Sequence, residues 1–171
     1  MENIILIGFM GSGKTTVGRS LAKKSGLKYV DLDRMIVKEA GMPIKKIFAL
    51  LGEEAFRNFE SKTVIRASKL KKSVIATGGG VIKRPENIRR LKKAGLVVYL
   101  KASLGTIVNR IKKRDDRPLF DMNNLDSVKK LYNSRMPVYK KAAGFTVDTD
   151  KNSVQEITKI IIEKAGGLNL D

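Results

Sequence analysis

Eight residues near the amino end, Gly8-Phe9-Met10-Gly11-Ser12-Gly13-Lys14-Thr15, follow the spacing G-x-x-x-x-G-K-[ST]. A loop of this kind curls around a phosphate with its backbone N–H groups pointing inward. Glycines permit the positive φ angles and the close approach that this requires. The helix expected next turns its positive N-terminal end toward the same phosphates. In such a loop Lys14 reaches the β and γ phosphates of a nucleotide and the Thr15 hydroxyl ligates Mg²⁺. A chance glycine-rich turn would match the pattern too, but the placement between an apolar strand-like run and a helix-like stretch argues against chance. The motif names a nucleotide; it does not name an acceptor.

Three further groups could supply the acceptor chemistry. Asp31 and Asp33 stand two apart at the end of a short apolar run, so in an extended chain their side chains share one face. One carboxylate can hold Mg²⁺ through water and the other can take a hydroxyl proton; Asp33 could equally cap a helix beginning at Arg34. Arg57 and Glu60 are spaced i, i+3 in the block Gly52-Glu53-Glu54-Ala55-Phe56-Arg57, a pattern that by itself reads as a surface ion pair of little energetic weight. Thr77-Gly78-Gly79-Gly80 has no side chain beyond the threonine, so its backbone N–H groups can approach a ligand closely; three glycines exceed what a turn needs.

These residues must be positioned by a chain of 171 residues, a length suited to one domain, 1–171, with a sizeable core. With 42% hydrophobic and 30% charged residues the composition is that of a globular protein. The absence of Cys excludes disulfides, thiolate metal sites and cysteine nucleophiles, and the absence of His leaves Asp, Glu, Lys or Tyr as the proton acceptor. The apolar run at the start is too short for a signal sequence or a span, so no membrane association and a cytoplasmic location are expected. The net charge of +18 raises nucleic-acid binding as an option. However, the cations come as scattered pairs and triplets with no interleaved aromatics for stacking bases, so no nucleic acid partner is expected. The positive field should instead speed the capture of nucleotides and carboxylates.

Short β-branched runs alternate with longer amphipathic stretches, the pattern of βαβ units around a parallel sheet. Strands are expected at Ile4 to Ile7, Leu27 to Leu32, Val74 to Thr77, Leu96 to Leu100 and Phe145 to Val147. Helices are expected at Lys14 to Lys24, Glu53 to Leu70, Glu86 to Ala94 behind Pro85, Ser103 (as N-cap) to Lys112, Asp126 to Lys141 with a break near Pro137, and Ser153 to Ala165. Two segments exceed a minimal alternation: an insertion at 33–61, and a charged loop at 112–124 holding Arg117-Pro118, which reads as a lid.

The loop at Gly8 to Thr16, the Asp31/Asp33 pair, the Ile47-Phe48…Gly52-Glu53…Phe56-Arg57…Glu60 block, Thr77 to Gly80, the stretch from Arg110 through Arg117-Pro118-Leu119-Phe120, and Arg135 together resemble the shikimate kinase family, in the family's order over roughly residues 1–150. The resemblance implies an α/β fold of the P-loop NTPase type, with a five-stranded parallel sheet in the order 2-3-1-4-5 and helices on both faces. It implies transfer of the γ-phosphoryl group of ATP, with Mg²⁺, to the 3-hydroxyl of shikimate, in aromatic amino-acid biosynthesis. It also implies roles: Gly11, Ser12, Gly13, Lys14, Thr15 and Thr16 on the ATP phosphates, with Thr15 and Asp31 as the metal partners; Arg110 and Arg117 on ATP. Asp33 would be catalytic and, with Arg57, Gly78, Gly79, Gly80 and Arg135, would hold shikimate, while Lys14 and Arg117 would act on the transferring group. Asn152 is a candidate for the adenine contact, and a monomer is expected. The chemistry agrees: two arginines suit a carboxylate, since the planar fork binds bidentately, and Asp33 suits hydroxyls, with Phe48 and Phe56 available to pack on a ring. Two rivals remain at this point: another small-metabolite kinase, such as a gluconate kinase, and an ATP-switched regulatory or nucleic-acid-binding protein.

Overall fold

Each face of strand β1 (Asn3–Ile7) is buried, because Ile4 and Leu6 pack into one apolar cluster while Ile5 and Ile7 pack into another. That double burial is what a continuous apolar run produces in the centre of a parallel sheet covered on both sides. The computed structural model describes residues 3–112 and 125–166, and every element below lies within them.

The remaining strands are β2 (Lys28–Asp31), β3 (Ser73–Ala76), β4 (Gly95–Lys101) and β5 (Phe145–Asp148), all parallel, in the order β2-β3-β1-β4-β5. Helices α1 (Lys14–Ser25) and α7 (Val154–Gly166) cover one face through Val17, Leu21, Ile157 and Ile161. Helices α3 (Ile44–Ala67), α4 (Pro85–Ala94), α5 (Leu104–Lys112) and α6 (Leu125–Ala142) cover the other through Val64, Leu91, Ile107 and Tyr139. Helix α2 (Leu32–Ala40) and the first half of α3 share a small separate cluster of Ile36, Ile47 and Phe56.

The chain leaves β1 toward β2 and leaves β3 toward β4, on opposite sides of the sheet order. β1 and β3 are neighbours, so their carboxyl ends form the crevice at which ligands bind in sheets of this kind. Thr77, just past β3, ties the two ends together: its N–H and its hydroxyl both donate to the Leu6 carbonyl, at 3.1 and 3.0 Å.

Three local expectations need correction. The cap of α2 is Asp31, not Asp33: Asp31 Oδ1 accepts from the backbone N–H groups of Asp33 at 3.0 Å and Arg34 at 3.4 Å. β2 therefore ends at Asp31, one residue short of the expected strand. The helix expected from Glu53 does start past Gly52, whose φ of 80° only glycine takes readily, but the insertion ahead of it is itself helical from Ile44, and the two stretches join across the kink as α3. Finally, α6 continues through Pro137. Packing on both sides of the proline, with Tyr132 against Phe9 and Tyr139 against Tyr99, outweighs one lost backbone hydrogen bond.

Candidate active site

The loop after β1 leads directly into α1, with Gly11 at φ 76° and Gly13 at φ 98°, both in the left-handed region. Gly8 is required for space: a Cβ there would sit 2.6 Å from the Leu100 carbonyl and 2.7 Å from the Ser12 hydroxyl. Lys14 Nζ lies across the loop, donating to the Gly8 and Phe9 carbonyls at 2.7 and 2.9 Å. Thr15 and Thr16 open α1 and line the cleft; the Ser12 hydroxyl is buried beneath the loop. The N-terminal end of α1 thus faces the cleft, as phosphate binding requires.

Asp31 is held at both carboxylate oxygens. Oδ1 caps α2, and Oδ2 accepts from the Tyr29 hydroxyl at 3.0 Å. Burial together with the Asp31 charge pushes the Tyr29 hydroxyl up to about 12. Asp33 sits in the first turn of α2 rather than in a strand, so the period-two argument does not account for it, yet both aspartates line the cleft. Its carboxylate packs over Gly78, where a Cβ would meet Asp33 Oδ1 at 2.8 Å.

Arg57 and Glu60 are not a surface pair. They are 7% and 1% exposed, joined at 2.8 Å, with Arg57 Nε also bonded to Glu53 at 3.2 Å. Burial raises the Glu60 carboxyl above its ordinary value, with the Arg57 charge pulling the other way. Glu53, by contrast, is lowered, chiefly by its hydrogen bond with Lys83 at 2.6 Å. Arg84 fastens this part of α3 to the turn after the glycines, donating to the Arg57 carbonyl at 3.1 Å and to Asn58 and Ser61. A Cβ on Gly80 would lie 2.3 Å from the Arg57 guanidinium.

Arg135, on α6, reaches the glycine turn from the opposite side. It donates to the Gly79 carbonyl at 3.5 Å, stacks near the Phe9 ring at 5.7 Å, and its buried Nε has no partner among the described residues. Tyr139 also donates to the Gly79 carbonyl. None of the three glycines has a positive φ. Gly78 and Gly80 are there because a different site residue lies against each, Asp33 and Arg57, while a Cβ on Gly79 would meet nothing nearer than 3.4 Å.

At the far end, Arg110 donates to the Gly11 carbonyl at 3.3 Å and to the Thr149 carbonyl at 2.9 Å, joining the phosphate loop to the end of β5. Asn152 lies in the same turn, its amide donating to the Asp148 carbonyl at 2.7 Å. Arg117 and the 112–124 lid, apart from Lys112, lie outside the described residues. The other candidate site residues, Gly11 to Thr16, Asp31, Asp33, Arg57, Gly78 to Gly80, Arg110, Arg135 and Asn152, border one cleft of about 1030 Å³, together with Phe48, Phe56, Lys45 and Lys83. Glu53 was named only as part of its motif block, with no role, and Tyr29, Lys83 and Tyr139 were not singled out in the sequence. The period-two rule applied backward from Asp31 points at Tyr29; Lys83 and Tyr139 have no local signal, since long-range packing brings them in.

The chain matches the sequence model of the family described as shikimate kinase over residues 10–165. A shikimate kinase of Thermodesulfovibrio yellowstonii is 45% identical over 165 residues, 96% of this chain and 95% of that protein. The structure is similar to that of the shikimate kinase from Acinetobacter baumannii in complex with shikimate, with a TM-score of 0.92 and 34% identity over 100% of this chain and 96% of that one. A gluconokinase from Sinorhizobium meliloti covers 98% of this chain and 93% of its own at a TM-score of 0.63 and 17% identity, a likeness of fold alone.

Proposed function

The chain belongs to the shikimate kinase family, an ATP-dependent phosphotransferase family acting on shikimate, and on that premise we propose which of its residues carry the transfer. The observation that supports the assignment is the convergence of Asp33, Arg57 and Arg135 on one glycine turn, opposite Lys14 and Thr15, in a single cleft.

ATP lies with its phosphates on the loop from Gly8 to Thr16, between the α1 N-terminus and Lys14. Arg110, Thr149 and Asn152 border the end of the cleft where the base would lie. Shikimate lies beneath the insertion 33–61, its carboxylate taken by Arg57 and Arg135 and its ring against Phe48 and Phe56, whose own rings meet at a tilt of 33° with centroids 4.6 Å apart. Asp33 accepts the proton of the attacking hydroxyl as the oxygen closes on the γ-phosphorus and the bond to the ADP oxygen breaks. Lys14, and Arg117 from the 112–124 lid, take up the charge on the moving group.

A divalent ion would fit here as part of a nucleotide complex; among the described residues no group of three or more His, Cys, Asp or Glu side chains gathers to hold one. Thr15 and the doubly held Asp31 carboxylate are the donors that fit it, the first directly and the second through water. Bound there, Mg²⁺ would neutralise phosphate charge. A coupled assay of ADP release tests the reading: turnover is expected with shikimate and ATP, and not with gluconate. Comparable rates with gluconate, or none with shikimate, would overturn the acceptor assignment.

A further inference from the structure

Tyr29 belongs to no part of the machinery set out so far, yet it touches three residues at the nucleotide end, two on α1 and one at the end of β2. Its ring lies against α1, where Gly18 leaves it room: a Cβ on Gly18 would come within 2.7 Å of the ring carbon Cε2. The Arg19 guanidinium sits 5.8 Å from the ring centroid. Its hydroxyl donates to Asp31 Oδ2 at 3.0 Å, while Oδ1 of the same carboxylate is occupied by two backbone N–H groups. A carboxylate capped at one oxygen can still rock about that anchor. A donor on the second oxygen, itself fixed by an aromatic ring wedged against a helix, removes that freedom.

We propose that Tyr29 is a positioning residue for the metal–nucleotide end of the site: its phenol hydrogen bond, braced against α1, holds the Asp31 carboxylate in register with the Thr15 hydroxyl before nucleotide arrives. The proposal rests on the placement of the divalent ion between Thr15 and Asp31 argued above. The physical logic is that of an outer-shell partner, which orients a metal-associated group without touching the metal. It also gives Gly18 a purpose, since any larger residue would drive the ring, and with it the hydroxyl, off Asp31.

The test is calorimetric binding of ADP, with Mg²⁺ and with chelator, to wild type, Tyr29→Phe, Asp31→Asn and the double variant. Tyr29→Phe keeps the ring packing and deletes only the hydroxyl. Expected is a loss of about tenfold in the Mg²⁺-dependent gain in ADP affinity. Metal-free ADP affinity, shikimate affinity and melting temperature should be unchanged, and Tyr29→Phe should have no further effect in the Asp31→Asn background. An undiminished Mg²⁺ gain in Tyr29→Phe, an equal loss with and without Mg²⁺, or effects that simply add to those of Asp31→Asn would each overturn the role of Tyr29. If wild-type ADP binding did not respond to Mg²⁺ at all, the placement of the ion would fall first and the proposal with it. That result is distinct from failure of Tyr29 alone.

Discussion

Arg57 and Arg135 serve the same proposed carboxylate in different electrostatic settings, and their variants should separate accordingly. Arg57 is the partner of a buried carboxylate, so Arg57→Ala leaves Glu60 buried without its cation; breaking such a pair costs about 3–5 kcal/mol of stability. Arg135 makes no ion pair among the described residues; it donates a long bond to Gly79 and acts on Glu60 and Tyr139 only as a neighbouring charge. Calorimetry on Arg135→Ala should show shikimate affinity weakened by about tenfold to a hundredfold, the loss of a hydrogen bond between charged groups, with little change in melting temperature. Unchanged affinity would place the carboxylate elsewhere. Asp33→Asn keeps the shape and removes the base; a turnover loss of about 10²–10⁴-fold is expected with ATP affinity intact, and lost ATP affinity would put Asp33 with the metal instead. Glu60 allows a pH test. Its folded-state carboxyl is raised by burial, so the folded state binds the proton more tightly than the unfolded chain. The stability of wild type relative to Glu60→Gln should therefore be highest below the ordinary glutamate value of 4.5 and fall as pH rises through the raised one. Melting curves of both proteins across that range read it, and a rising difference would mean that Arg57 outweighs burial.

At the scale of elements, the glycine turn after β3 is where sequence and structure inform each other most. Three consecutive glycines showed in the sequence that something approaches closely, but not what approaches each one. The added Cβ would meet Asp33 at Gly78, Arg57 at Gly80, and nothing nearer than 3.4 Å at Gly79. The consequence is a kinetic split. Gly80→Ala should raise the shikimate KM by displacing Arg57. Gly78→Ala should lower kcat by displacing Asp33, and Gly79→Ala should stay near wild type in both. Steady-state kinetics on the three variants checks this; equal damage at all three would mean that the turn needs glycine for its backbone instead. The strand-rich half of the fold was legible because β1, β3 and β4 are continuous apolar runs between turn residues. What escaped was set by tertiary context. Asp31 and Asp33 are chemically alike, and which of them caps α2 depends on where β2 leaves the sheet. Gly52 reads as a helix breaker and is one, with a non-helical φ of 80° and ψ of 174°; what escaped is the helical stretch before it, from Ile44, which packs Ile47 beside Phe56. Burial of the Arg57–Glu60 pair could not be read from its i, i+3 spacing, since that spacing is the same on a wet surface as beneath a glycine turn.

For the molecule as a whole, the excess of 35 cations over 17 acids has to act through distance, because most of those cations are exposed. Helix α4 shows the pattern: Arg89, Arg90, Lys92 and Lys93 are all exposed, against one acid, Glu86. Exposed charges give little pairwise stability, but their summed field attracts anions from solution, and ATP and shikimate are both anions. That field is screened over about 8 Å at physiological ionic strength, whereas the buried contacts of Arg57 are screened far less. The two contributions should therefore part company in salt. Between about 10 mM and about 0.2 M salt the Debye length falls from roughly 30 Å to under 10 Å. Over that interval kcat/KM for both substrates should fall while kcat at saturation holds. Replacing the four α4 cations with glutamine should flatten the salt dependence of kcat/KM and leave kcat alone, because none of them borders the cleft. An unchanged slope in that variant would assign the attraction to the lysines and arginines of the cleft itself, and would leave the surface charge without a part in substrate capture.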